Sequence, residues 1–142
     1  MPLQVTGLCP LIQVFDMPAS VRFYCELLGF EVVQASAEVE APEGRYFQWC
    51  WLRLGPANLM LNTGYDVGDR PPTREAWRQS AHADTGLYFG CVDIEAAHLS
   101  LRARGLEVTA PEDSGHGMRQ IWLHDPDGYL LCFQAPTGSR MV

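Results

Sequence analysis

The sequence predicts an α+β protein built from two tandem β-α-β-β-β units, and three observations carry that prediction. An aspartate suited to capping a helix follows an apolar run twice, at Asp16 and Asp93, and each helical pattern closes on a glycine, Gly29 and Gly105. Similar strand patterns trail the two helices, with FEVV at 30–33 matched by LEVT at 106–109. The spacings between matching residues are nearly constant: 77 from Asp16 to Asp93, 76 from Gly29 to Gly105, and 71 from Trp51 to Trp122. Drifts of that size are what loop-length changes produce between two copies of one unit.

The elements follow in order. Residues 8–15 (LCPLIQVF) are apolar and partly β-branched, a strand closed by Asp16. Pro18 in the first turn of the next helix removes only a donor that would be orphaned anyway. Val21, Tyr24, Cys25 and Leu28 recur at helical spacing up to Gly29. A strand at 30–34, a Glu- and Ala-rich connection, a strand at 46–54, a Gly55–Pro56 turn and a strand at 58–62 complete the first unit. The second begins with a strand at 86–91 and a helix at 94–104, with Ile94, Ala97 and Leu101 on one side. Glu95 in its first turn and Arg102 and Arg104 in its last suit the helix dipole. Strands at 119–124 and 129–134 flank Asp125-Pro126-Asp127-Gly128, a type I turn sequence. The modules are thus about 8–62 and 84–135 of a single domain, 1–142, joined by a polar, Pro-containing connection (63–83) with one helical turn near 74–78.

The 142 residues suffice for one domain that folds without disulfide or metal. Ten basic residues against seventeen acidic ones give a net charge of -7, which argues against nucleic acid and would suit a cationic ligand. All ten are Arg, so Schiff-base chemistry and a P-loop lysine are excluded. Five Cys without a CxxC, an odd number, read as reduced thiols of a cytoplasmic protein. The first residues lack the basic region of a signal peptide, and no apolar stretch approaches the ~20 residues that span a bilayer. No GxSxG, HExxH or GxGxxG motif is present. The acid pairs Glu112-Asp113 and Asp125/Asp127 fall in loops, where a solvated or turn-forming role is the plainer reading.

The runs FDMPASVRFYCELLGFEVV and CVDIEAAHLSLRARGLEV, with WLRLGPANLML and WLHDPDGYLLCF, resemble the vicinal oxygen chelate superfamily over roughly residues 8–135. Its members include glyoxalase I, fosfomycin-resistance enzymes, extradiol dioxygenases and bleomycin-resistance proteins. The resemblance implies two modules whose sheets curl into a cupped half-barrel around a ligand cleft, in a homodimer. It also implies where a divalent ion would be held, by one His or Glu from the first and last strand of each module. Those positions carry Cys9, Met60, Gly86 and Cys132. Glycine has no donor and a thioether is a poor ligand for a hard ion. Cys9 and Cys132 could form a soft thiolate pair, but two thiolates complete no usual site, and buried Cys is more often apolar filler. His82, His98, His116 and His124 have no ligand-like spacing. The expectation is no metal, no cofactor and no catalytic residue.

Strand alternation puts Trp49 and Trp51 on one face, Asn58 and Asn62 around Met60, and Leu11, Gln13 and Phe15 in line with Cys9. The resemblance turns Trp122 and Gln120 towards the cleft, whereas counting ideal hairpin pairs puts Trp122 on the opposite face. Tyr88 points inward by alternation from Gly86, and His116, in the Gly115–Gly117 turn, could add polar recognition. The expected ligand-binding set is therefore Phe15, Trp49, Trp51, Met60, Asn62, Tyr88, His116, Gln120 and Trp122. Core filling is the alternative role for each Trp. With the metal positions lost, the chain resembles the metal-free bleomycin-resistance proteins, which sequester a planar or cationic molecule by stacking and cation–π contacts. The alternatives are a lyase, isomerase or dioxygenase with an unusual Cys-containing centre, and a regulatory module for a native metabolite.

Overall fold

A computed structural model of the protein describes residues 1–137, which divide into two compact units, Met1–Pro72 and the segment from Thr73 onward. In the first unit β1 (Leu11–Val14) leads to α1 (Met17–Val21). Asp16 caps α1 as expected, its Oδ1 accepting from the Ala19 amide at 3.1 Å. The helix then widens into a π-helical turn, Arg22–Leu27, in which the Leu28 amide reaches the Phe23 carbonyl, and Gly29 ends it at φ +98°. Strands β2 (Glu31–Ala35), β3 (Glu38–Ala41), β4 (Gly44–Phe47), β5 (Trp49–Leu54) and β6 (Ala57–Thr63) follow.

Two expectations change in this unit. The first strand starts at Leu11 and not at residue 8, because Pro10 has no amide to donate, although its carbonyl still accepts from Met60. The Glu- and Ala-rich connection is a hairpin, β3–β4, whose Glu38 and Glu40 both pair with Arg45. The expected strand 46–54 is accordingly broken at Gln48. There the Ser36 hydroxyl accepts from the Gln48 and Trp49 amides while the chain changes strand partner.

The second unit contains α2 (Ala76–His82), β7 (Gly86–Gly90), α3 (Ile94–Ala103), β8 (Glu112–Asp113), β9 (Met118–His124) and β10 (Leu130–Pro136). Asp93 caps α3 through the Ala96 amide at 3.1 Å. The helical turn expected near 74–78 is a seven-residue helix, α2, placed slightly later. LEVT does not form a strand. Pro111 cannot join a ladder, so the segment before it meets β9 through Thr109, whose amide donates to the Trp122 carbonyl and whose hydroxyl accepts from the Trp122 amide, and regular pairing waits for β8.

Each unit holds one four-stranded sheet of the same topology, β1-β6-β5-β2 in one and β7-β10-β9-β8 in the other. In each, the first strand runs parallel to the last and the remaining pairs are antiparallel. The protein is therefore α+β with two β-α-β-β-β modules, and β3–β4 is an insertion in the first. One face of each sheet is core. Ile12, Val14, Leu52, Leu59 and Leu61 are buried with Met17 and Tyr24 in the first unit; Ile121, Leu123, Leu131 and Phe133 with Ile94 and Leu101 in the second. Burying each of these side chains stabilises the fold by roughly 1.5–3 kcal/mol.

The β9–β10 connection decides which side chains reach the other face. Asp125 takes the amides of Asp127 and Tyr129 at 2.8 and 2.9 Å, and Tyr129 joins the loop instead of opening the strand. His124 consequently pairs with Leu130 and Trp122 with Cys132. A loop ending at Gly128 would have set Trp122 among the leucines. Trp122 thus lies on the face the family resemblance indicated, and the ideal-hairpin count fails by one residue.

Candidate ligand-binding faces

The sheet face opposite the core carries a distinct set of residues in each unit. In the first, direct cross-strand pairing places Gln13, Asn62 and Trp49 in one row. Leu11, Met60, Trp51 and Gln34 form the next, and Asn58, Arg53 and Glu31 the third. Directly opposed residues share a face, so these side chains line one surface. It is half-buried where the core side is closed: Trp49, Trp51, Met60 and Asn62 are all of intermediate exposure. The polar groups satisfy one another. Asn58 Oδ1 accepts from Trp51 Nε1 at 2.9 Å, Asn62 Nδ2 donates to Gln13 Oε1 at 3.3 Å, and the Arg53 guanidinium lies 4.9 Å over the Trp51 ring.

The second unit repeats the pattern. Gly90, Gln134 and Gln120 form one row and Tyr88, Cys132 and Trp122 the next. Tyr88 meets Trp122 edge-to-face with ring centroids 5.5 Å apart, and Gln120 Nε2 donates to Gln134 Oε1 at 2.9 Å. Cys132, between the two aromatic residues in register, is fully buried. Tyr88 keeps 57% of its surface exposed, a large value for an aromatic side chain in a sheet. Beside Trp122 a cavity of about 850 Å³ opens along the edge of β9 left unfilled by residues 105–109, bordered by Arg102, Glu107, Thr109 and His124.

Of the expected ligand-binding residues, the first sheet face gathers Trp49, Trp51, Met60 and Asn62, and the second Tyr88, Gln120 and Trp122. Phe15 and His116 stand elsewhere. Phe15, just past β1, is packed edge-on against Tyr65 while the Arg70 guanidinium lies 4.6 Å over its ring. Arg70 is itself held by the Phe15 carbonyl and the Glu43 carboxylate. His116 is exposed in a turn organised by the Ser114 hydroxyl. Sequence reasoning missed Arg53 and Gln134. Arg53 is two residues from Trp51 and so was legible by the same alternation, and Gln134 is two from Cys132.

The four positions where the resemblance would place metal ligands do not fit a divalent ion. Gly86 offers no side chain and Met60 only a thioether. Cys9 and Cys132 leave only a pair of thiols, which completes neither a closed structural site nor the usual three-ligand one. Among the described residues no three His, Cys, Asp or Glu side chains are grouped to hold a metal. His82 Nδ1 donates to the Asp127 carbonyl at 2.8 Å and its ring stacks on Tyr129, while His98 Nδ1 is buried with no hydrogen-bond partner among the described residues. Asp125 and Asp127, expected as turn or solvated acids, are both buried, Asp125 as a turn former and Asp127 within 3.8 Å of Arg74.

Comparison with known proteins agrees with this architecture. The model of the Glyoxalase/Bleomycin resistance protein/Dioxygenase superfamily matches residues 5–133. No curated protein matches the sequence. Among solved structures, TnmS3, an antibiotic binding protein from Streptomyces sp. CB03234, superposes with a TM-score of 0.66 at 23% identity, over 95% of this chain and 99% of that one. A bleomycin resistance determinant encoded on the transposon Tn5 gives 0.67 at 22% identity, over 93% and 98%. TioX from Micromonospora sp. ML1 gives 0.65 at 15% identity, over 92% and 95%. No helix among the described residues is long and apolar enough to cross a membrane.

Proposed function

The chain belongs to the Glyoxalase/Bleomycin resistance protein/Dioxygenase superfamily, and on that premise we propose that it is a metal-free binding protein of the bleomycin-resistance type. It sequesters a small planar or cationic molecule and performs no chemistry on it. The observation that carries this reading is the repeated composition of the two open sheet faces. Each has a tryptophan directly opposite a sulfur residue, Trp51 with Met60 and Trp122 with Cys132, in the row next to a hydrogen-bonded side-chain amide pair. Such a surface stacks and orients a ring without supplying a nucleophile, an activated base or an ion. An aromatic contact of this kind contributes about 0.5–1.5 kcal/mol beyond the area it buries. The solved neighbours whose names mention an antibiotic or bleomycin support the same role. The protein works in the cytoplasm as a homodimer: the odd number of free thiols suits a reducing compartment, and the family resemblance implies a paired chain.

Tryptophan emission tests the proposal, because Trp49, Trp51 and Trp122 all lie on the faces concerned. Titration with bleomycin and with planar aromatic antibiotics should quench the emission saturably at low-micromolar concentrations for at least one of them. Replacing Trp51 or Trp122 with Leu should weaken that binding about tenfold. Unchanged emission with every compound would overturn the proposal.

A further inference from the structure

We infer that Gly90, at the end of β7, is the seat on which a flat ring of the bound molecule rests against the sheet of the second unit; the inference rests on the binding role proposed above. Among the described residues three glycines stand inside strands: Gly44, Gly86 and Gly90. Two have a reason in the fold. Gly44 adopts a φ of +134°, which other residues avoid. An added Cβ at Gly86 would lie 3.1 Å from Cε1 of the Tyr88 ring, which leans over it along the strand. Gly90 has neither reason. Its φ is not positive, and an added Cβ would meet no atom within 4 Å. Glycine weakens a strand through its entropy and its missing side chain, and inside one it often marks close approach by a ligand or another backbone. No described backbone comes near enough to be that neighbour.

The surroundings suit a ring. Gly86, Tyr88 and Gly90 share the open face of β7 and are all exposed. Because Tyr88 leans towards Gly86, the space over Gly90 stays clear of its ring. On the other side Gly90 is in register with Gln134, and Gln134 with Gln120. Gln120 Nε2 donates to Gln134 Oε1 at 2.9 Å, and neither side chain has a further partner among the described residues. Gln134 Nε2 therefore keeps its two hydrogens for an acceptor on the rim of a ring laid over Gly90. A side chain at position 90 would hold that ring off the backbone and away from the amide.

Two three-ring probes test the seat without relying on charge: acridone, which is neutral, and 9-aminoacridine, a cation at neutral pH. Their affinities are measured by equilibrium dialysis for the wild-type protein, Gly90→Ala, Gly90→Val and Gly86→Ala. At least one probe should bind the wild type, and Gly90→Val should weaken it at least about tenfold and Gly90→Ala several-fold. Both Gly90 variants should melt at or above the wild-type temperature and leave the near-ultraviolet circular dichroism of the free protein unchanged. Gly86→Ala should alter that dichroism, because Tyr88 must shift against Trp122. Wild-type affinity in Gly90→Val would overturn this inference and leave the binding role standing. A lower melting temperature in Gly90→Ala would overturn it too, since the fold itself would then need the glycine. Loss of self-association in Gly90→Val, read by sedimentation, would assign the space to a second copy of the chain and equally overturn it. Failure of both probes to bind the wild type up to their solubility limits would overturn the binding role itself.

Discussion

Asp125 shows how much structure one side chain can set. It is 5% exposed, and its carboxylate takes the backbone amides of Asp127 and Tyr129. Asp125→Ala should therefore cost about 1–3 kcal/mol in urea unfolding, the price of leaving buried donors unmet. The buried thiols yield a pH prediction. Burial pushes Cys50 and Cys132 from an ordinary 9.0 to about 11. A group whose pKa rises on folding favours the folded chain while it stays protonated. Its contribution is complete below 9.0 and fades as pH climbs through about 11, by about 3 kcal/mol per thiol at most. Denaturation midpoints measured from pH 8 to 11 should fall through that window, and less steeply in Cys50→Ala/Cys132→Ala. At this scale the caps Asp16 and Asp93 were legible, because capping depends on residues three apart. The burial of Asp127 was not, because its partner Arg74 comes from the segment before α2, far from it in sequence.

Elements were legible where they are regular and were missed where a neighbour in space controls them. Alternation alone put Trp49 with Trp51 in β5, and Asn58 and Asn62 with Met60 in β6; that the two sets share a face comes from the pairing register. The β3–β4 hairpin was not visible, because its glutamates read as a solvated connection until Arg45 pairs with them. The LEVT strand was expected by analogy with FEVV, and Pro111 prevented it. α2 is a short helix with no buried residue, so periodicity could not announce it. It is held by the turn below: Gln79 Nε2 donates to the Pro126 carbonyl, and His82 stacks on Tyr129. Gly128 makes that seat. Its φ is +87°, and a Cβ there would lie 2.5 Å from the Gln79 carbonyl oxygen. Gly128→Ala should destabilise the protein by more than the ~1 kcal/mol of backbone strain alone and speed amide exchange in α2. Gly44→Ala, with positive φ but open space around it, should show the strain cost only.

For the whole molecule, the duplication was the most legible feature, since both topology and residue spacing repeat. The repeat also divides the positions where the family resemblance implies metal ligands between the modules, Cys9 and Met60 in one and Gly86 and Cys132 in the other. Elemental analysis of the dialysed protein should find well under one metal per chain. A stoichiometric value would redirect attention to the cysteines. Ligand identity was the least legible property, because charge and composition average over a surface that only a few rows of side chains use. The loop 125–129 adds a consequence for descent. Surface loops ordinarily absorb insertions and deletions at little cost, but here an odd count of residues decides whether tryptophan or leucine meets the outside world. Losing or gaining one residue in this turn would turn β9 inside out relative to β10, exchanging an interior for a recognition surface in one genetic step. Among descendants of this sequence, length changes at 125–129 should therefore come in twos or be absent.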